Sequence, residues 1–261
     1  MCVCRSVGMW FVFENSWREM FKFIFVIFIN LWRFFYVVPK MHIYYNDKKY
    51  SMVEKYRLVQ WVCNKVRKGI HVKTITYGLE NLPTEGGYVM YPNHQGKYDA
   101  LGIILSHEKP LSLVIEEKAS HQLILTEVVE LLKGKRLNNH NTRSAIKLMN
   151  QVAEEVKEGK PYIIFPEGYW AENHNHLNEF RAGSFKCAMR AKAPIVPVAL
   201  VDSYKAFEGF DLIHTTYTYV YYLEPITYEM YQGKKTFEVS EMVKQRIEEC
   251  IRQHEESERT K

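Results

Sequence analysis

Apolar and polar positions change rhythm twice along the chain. From Met20 to Pro39 the run MFKFIFVIFINLWRFFYVVP is apolar and aromatic, interrupted by Lys22, Asn30 and Arg33. Its uncharged stretch Phe23–Trp32 is ten residues long, against the ~20 that a spanning helix needs. The pattern predicts a helix that lies in the interface or half-inserts, or one that spans by snorkelling both charges. A buried soluble helix is the other reading, and the basic stretch that follows favours the membrane. No small-residue cleavage site follows, which excludes a secretory signal. Residues 1–19 carry no such pattern, and Met20 is an alternative start. The next segment, Ser51–Lys68, places Met52, Val53, Tyr56, Val59, Val62, Cys63 and Val66 at helical spacing with a basic opposite face. It predicts a second helix, lying on the membrane surface or against the main domain.

After Gly69 the period shortens. HVKTITY alternates, and YVMYP, LSLVIE, PYIIFP and IVPVALV are short apolar runs, with TTYTYVYYLEPI as a long late strand. Helical stretches separate them at Tyr98–Ser106, Ser120–Leu132, Thr142–Glu158 and Phe180–Ala191. FEVSEMVKQRIEECIRQHEE closes the chain as an amphipathic helix whose charged end is expected to fray. Strands alternating with helices imply an α/β fold: a largely parallel twisted sheet flanked by helices, with an N-terminal membrane-associated helical segment. The expected division is 1–70 for the membrane-associated helices and 71–261 for the catalytic domain. There is no internal repeat.

Composition refines this picture in two places. The five cysteines Cys2, Cys4, Cys63, Cys187 and Cys250 are scattered and form no Cys-x-x-Cys pair, which argues against a disulfide framework or structural zinc and for a reducing compartment. From Pro39 to Lys73 nine Lys or Arg face two acids, a local +7 within a net +5, so the rest of the chain sums to −2. A local basic patch suits an anionic membrane surface better than a nucleic-acid track, although a solvated helix face has the same composition. If Met20–Pro39 spans, the positive-inside rule places the rest of the chain in the cytoplasm.

The candidate chemistry sits in YPNHQGKYDALG, Tyr91–Gly102. His94 directly follows a buried strand, and ligands of open α/β sheets bind beyond the carboxyl ends of strands. A bend at Gly96 lets Asp99, at the start of the next helix, fold back onto the imidazole. A carboxylate on one ring nitrogen fixes the tautomer and leaves the other nitrogen as a base. No Ser or Cys lies within the motif, so the pair suits a hydroxyl that arrives with the substrate. For an isolated His and Asp, a capped loop would be the better reading. The second cluster, YIIFPEGYW, changes the balance, because it again runs from a strand into a turn with an acid, Glu167, and a glycine, Gly168. Exposed amides there suit an oxyanion or phosphate. Arg181 and Lys186, in LNEFRAGSFKCAMRAKAPIVPVAL, are candidate phosphate partners. Glu167 as a helix cap and the two cations as surface charges are the plainer alternatives.

NHQGKYD, FPEGYW and FRAGSFKCAMRAKAPIVPVAL, in that order, resemble the 1-acylglycerol-3-phosphate acyltransferase family, the lysophospholipid acyltransferases of the glycerolipid acyltransferase superfamily. The resemblance covers about Lys73–Asp202. It implies His94 as general base on the glycerol hydroxyl and Asp99 as its orienting group. It implies Glu167 and Gly168 in acceptor binding, with Asn93, Arg143, Arg181 and Lys186 as further substrate-binding candidates. It implies an acyl thioester donor, acyl-CoA or acyl-carrier protein, as co-substrate, with no other cofactor and no metal. The implied product is phosphatidic acid, made in phospholipid biosynthesis from 1-acylglycerol-3-phosphate. The implied partners are the membrane lipid surface, a lysophospholipid and the acyl carrier, with no nucleic acid. The implied location is the membrane, with the site on its cytoplasmic face. The chain departs from the family where the second block often ends in Asp-Arg, here Asn138-Asn139. It departs again where the third block often continues with Thr-Arg, here Tyr169-Trp170. Arg136, Arg143, Arg181 and Lys186 are the possible replacements, and another lysolipid is the alternative acceptor. A non-catalytic membrane scaffold is a rival that the retained His94 and Asp99 oppose. A metal hydrolase using His174 and His176 lacks a third ligand at defined spacing, and no Gly-x-Ser-x-Gly elbow supports a serine hydrolase.

Overall fold

The computed structural model describes residues 35–122, 124–139, 141–169, 173–207 and 214–260. Most of the apolar segment Met20–Pro39, and therefore its expected membrane helix, lies outside them. Among the described residues no helix is long and apolar enough to cross a membrane.

Residues 35–43 are helical. Next come α1 (Met52–Gly69), β1 (Val72–Tyr77), β2 (Val89–Pro92), α2 (Asp99–Ser106), β3 (Ser112–Glu116), α3 (Leu125–Leu131) and β4 (Lys135–Leu137). The chain continues with α4 (Thr142–Lys157), β5 (Tyr162–Ile164), α5 (Lys186–Ala191), β6 (Ile195–Val201), β7 (Thr216–Tyr222), α6 (Tyr228–Tyr231) and α7 (Thr236–Arg259). The seven strands form one sheet in the order β1-β7-β6-β2-β5-β3-β4. β7 pairs antiparallel with β6 and parallel with β1, so this edge runs against the five other strands, which are mutually parallel. β4 is the strand that the sequence pattern misses. It has three residues, all half-buried, and so shows no alternation.

Successive strand residues feed two cores, as a period of two demands. Met90, Ile163, Val196, Val198 and Leu200 join one core. Val89, Tyr91, Tyr162, Ile164, Ile195 and Val201 join the other. α1, α2 and α3 cover the first face, and α4, α5 and α7 the second.

α1 starts on a capping box, in which Ser51 Oγ accepts from the Glu54 amide and the Ser51 amide donates to Glu54 Oε2 at 2.8 Å. Of its two expected positions, it takes the one against the main domain. Tyr56, Leu58, Val59, Val62 and Cys63 are buried in the first core, each large apolar side chain contributing about 1.5–3 kcal/mol. Gln60 Nε2 donates to the carbonyls of Ile104 and His107 at 3.0 Å. α7 does not fray at its charged end. It stays helical to Arg259, with Arg252 paired to Glu249 and Glu256 at 2.7 Å.

Candidate active site

β6, β2 and β5 are adjacent and parallel, so their carboxyl ends share one edge of the sheet. His94 follows β2, Glu167 follows β5 and Ser203 follows β6. Three segments distant in sequence therefore meet at one crest.

His94 Nδ1 lies 2.7 Å from Asp99 Oδ2. The same oxygen accepts from the amides of Gln95 at 2.6 Å and Gly96 at 2.9 Å. Asp99 Oδ1 accepts from the Ser203 hydroxyl. The carboxylate is 1 % exposed, and a buried charge needs such a set of donors. It also occupies the first turn of α2, where the helix dipole favours an anion. With Nδ1–H donated to Asp99, Nε2 is the basic nitrogen. The imidazole is 24 % exposed and packs on Phe165, with ring centroids 4.5 Å apart. Its backbone is held as well, since the His94 amide donates to Glu167 Oε1 at 2.7 Å. Glu167 Oε2 accepts from Asn178 Nδ2 at 2.5 Å and from the Asn178 amide at 3.2 Å. Burial raises the Glu167 carboxyl above its ordinary value, against these hydrogen bonds, which lower it.

The family model described as Acyltransferase matches residues 73–201, the stretch that holds His94, Asp99 and Glu167. Over that stretch, 129 of the 261 residues, the chain is similar to the acyltransferase family. It is 26 % identical over 219 residues to a 1-acyl-sn-glycerol-3-phosphate acyltransferase of Saccharomyces cerevisiae, covering 78 % of this chain and 69 % of that one. It is 26 % identical over 163 residues to the alpha form of Ovis aries, covering 59 % of this chain and 54 % of that one. The corresponding protein of Borreliella burgdorferi is 27 % identical over 140 residues, covering 52 % of this chain and 54 % of that one. The chain thus spans about half the length of two of these three relatives. In fold it is similar to the crystal structure of the 1-acyl-sn-glycerophosphate acyltransferase PlsC from Thermotoga maritima, with a TM-score of 0.69 and 17 % identity, over 90 % of this chain and 93 % of that one.

The geometry gives three of the expected binding residues other contacts. Asn93 is buried, its amide donating to the Leu200 carbonyl at 3.0 Å and accepting from the Leu200 amide at 2.7 Å. It clips β2 to β6, and it is 1 % exposed. Glu167 is fully buried and holds the His94 backbone instead of reaching an acceptor. Gly168 sits at φ 71°, and its amide donates to the Phe165 carbonyl at 3.2 Å, so that amide is not open to an oxyanion. What approaches Gly168 is Arg181: a Cβ there would lie 2.7 Å from Arg181 Nε. At Gly96 the backbone is not left-handed, and the residue contributes its N–H to Asp99.

Arg181 is exposed, and its Nη1 donates to Asn139 Oδ1 at 3.3 Å. Arg136 is engaged by Glu130 at 2.8 Å and by Ser120 at 3.0 Å. Arg143 and Lys186 are exposed in the first turns of α4 and α5. Arg190, one turn after Lys186, donates to Asn150 of α4 at 3.3 Å. Among the described residues no group of three His, Cys, Asp or Glu side chains is placed to hold a metal ion, and His174 stacks on Tyr204 at 4.4 Å.

Four functional residues escape the sequence reading. Ser203 Oγ and N reach Gln95 Oε1 at 3.0 and 2.9 Å. Gln95 Nε2 donates to Asn175 Oδ1 at 2.7 Å. Asn175 Nδ2 donates in turn to Asp202 and to Glu255 of α7, at 3.2 and 3.1 Å. With Asn178 on Glu167, residues 173–179 grip the His94 turn from both sides through Asn175 and Asn178. The available signal was topological: a strand paired beside β2 delivers its next polar residues to His94.

Proposed function

We propose that this protein moves a fatty acyl group from an acyl thioester to the free hydroxyl of a lysophospholipid, in the first place 1-acylglycerol-3-phosphate, giving phosphatidic acid. The observation that carries the reading is the Asp99–His94 pair. Its imidazole has an orienting carboxylate, while the hydroxyl that stands closest to the pair, Ser203, is bound to Asp99 and not to the ring. A base without a protein nucleophile suits direct transfer. His94 Nε2 takes the acceptor's hydroxyl proton as the oxygen attacks the thioester carbonyl. The tetrahedral intermediate then collapses, the C–S bond breaks, and the thiolate leaves with the proton from the imidazolium.

The names of the relatives supply the acceptor. Support from the chain itself comes from Arg181, whose guanidinium lies against Gly168 and touches Asn139. It brings a cation beside Asn139, which with Trp170 stands where the family usually has arginines, and an arginine suits a phosphate. A different lysolipid head group remains the second acceptor because of those same replacements. The site is read as working at the cytoplasmic membrane face, since a lysolipid and an acyl donor both present chains that cost ~0.8 kcal/mol per methylene to expose to water.

A transfer screen tests the proposal. Labelled acyl-CoA and acyl-carrier protein are offered with a panel of lysolipids, and His94→Ala serves as control. Formation of phosphatidic acid by the wild type alone is expected. Transfer by His94→Ala at the wild-type rate, or no transfer to any lysolipid, overturns it.

A further inference from the structure

β6 ends at Val201, and the next residue, Asp202, turns left-handed at φ 60°. Left-handed backbone costs roughly 1 kcal/mol for a residue with a Cβ, and such strain persists where neighbours hold it. Here Asn175 Oδ1 accepts the Asp202 amide at 3.0 Å. The turn throws Ser203 back over the catalytic bend, where its amide donates to Gln95 Oε1 and its hydroxyl donates to Asp99 Oδ1. The three other donors to this carboxylate converge on Oδ2, so Ser203 holds the oxygen that they leave. Ser203 itself is 3 % exposed, and its bond to Asp99 therefore has no competition from bulk water.

We propose that Ser203 is a positioning residue of the catalytic pair: its hydroxyl fixes the rotation of the Asp99 carboxylate, keeps Oδ2 on His94 Nδ1, and limits how strongly that carboxylate stabilises the imidazolium. A donor on Oδ1 draws charge from the carboxylate. Removing it concentrates charge facing the ring and raises the imidazole's proton affinity. The other charged groups near the pair include Lys97, exposed in the same bend, Glu167, through the His94 backbone, and Asp202 with its partner Lys205 and Glu255, through Asn175. Ser203→Ala leaves all of these in place.

The test is a histidine-labelled NMR titration of the full chain, with the His94 signal assigned by its loss in His94→Ala. In Ser203→Ala the His94 pKa is expected to rise by ~0.5–1. Ser203→Cys, a weak donor, is expected between the alanine variant and wild type. Should Ser203→Ala fail to fold in a thermal melt, the cysteine variant carries the test. In turnover, kcat is expected to fall about tenfold or more with acceptor KM unchanged, as for an interaction made only in the transition state. The acid limb of the kcat/KM profile moves to higher pH. An unmoved His94 titration in the folded variants overturns the proposal. Only the kinetic arm rests on the acyl-transfer reading; the titration needs no substrate, so a failure of that reading is visible separately as a wild type that transfers nothing.

Discussion

The backbone amide of His94 and the carboxylate of Glu167 are joined by a 2.7 Å hydrogen bond. The two sequence blocks that carry the chemistry are thus one mechanical unit, with Glu167 acting on the base from behind. Glu167→Ala should lower kcat about 10- to 100-fold, because small misplacement of a catalytic group has effects of that order. Acceptor KM should change little. A variant whose KM rises while kcat holds would restore Glu167 to acceptor binding.

His94→Ala should cost about 10²–10⁴-fold in turnover, the usual worth of a general base. Asp99→Asn should lose a large part of the same factor. It also places an amide among the donors of Gln95, Gly96 and Ser203, where only an acceptor fits. Circular dichroism separates folding from chemistry, and turnover near wild type by folded His94→Ala would exclude the base.

Arg181→Gln should raise the KM of a phosphate-bearing acceptor more than that of the donor, since it removes uniform binding. Gly168→Ala should produce the same defect indirectly. Its Cβ lands 2.7 Å from Arg181 Nε on a backbone at φ 71°, so the guanidinium must leave the turn. Steady-state kinetics with each substrate varied in turn decides this. Equal acceptor KM in both variants and wild type would move the phosphate contact to Arg143 or Lys186.

His94 and Glu167 stood out in the sequence because each follows a short apolar strand in a block with a glycine, and Asp99 because it lies five residues after His94 at a helix start. Their partners did not. Ser203, Asn175 and Asn178 act from segments whose local pattern reads as polar loop, and only the β6-β2-β5 adjacency delivers them. Asn93 was misread for a related reason. A polar residue next to a catalytic base looks like a ligand contact until the neighbouring strand is known to be β6, whose Leu200 backbone pairs with it. The central strands were legible as short apolar runs buried on both faces and the half-buried β1 by its alternation, whereas β4 was hidden because it is short and half-buried throughout.

The buried His107 provides a pH-dependent element outside the site. Its Nε2 lies 2.6 Å from the Tyr88 hydroxyl and its Nδ1 lies 2.7 Å from the Lys109 carbonyl. Burial, with Lys109 nearby, lowers its pKa from 6.5 to about 4. The unfolded chain therefore binds a proton here before the folded chain does. The stability it contributes is complete above pH ~6.5 and is lost as pH falls toward ~4, by about 3 kcal/mol in total. Chemical denaturation across that window should show a steeper loss for wild type than for His107→Gln. Parallel curves would remove His107 from the acid response.

Membrane docking is the last expectation to test, and the structure changes how the test is built. A truncation near Gly69 would strip Tyr56, Val59 and Val62 from the first core, together with Val37 and Met41, and would unfold the domain. Removal of residues 1–34 keeps all of these. The helical segment 35–43 turns Val37 and Met41 inward while Phe35 and Ile43 are 69 % and 58 % exposed, so its outer side continues the apolar character of the sequence before it. Lys48, Lys49, Arg57, Lys65 and Lys68 are exposed nearby, whereas Lys55 is buried on Asp47 and leaves the patch. Exposed cations contribute about 1 kcal/mol each at an anionic surface, and the apolar segment adds the burial term. The shortened chain should keep the wild-type circular dichroism, float with anionic vesicles far less than the full chain, and lose turnover on vesicle-bound acceptor. Adding Phe35→Ser and Ile43→Ser should weaken the residual binding further. Undiminished flotation of the shortened chain would assign the membrane affinity to residues 35–261 alone.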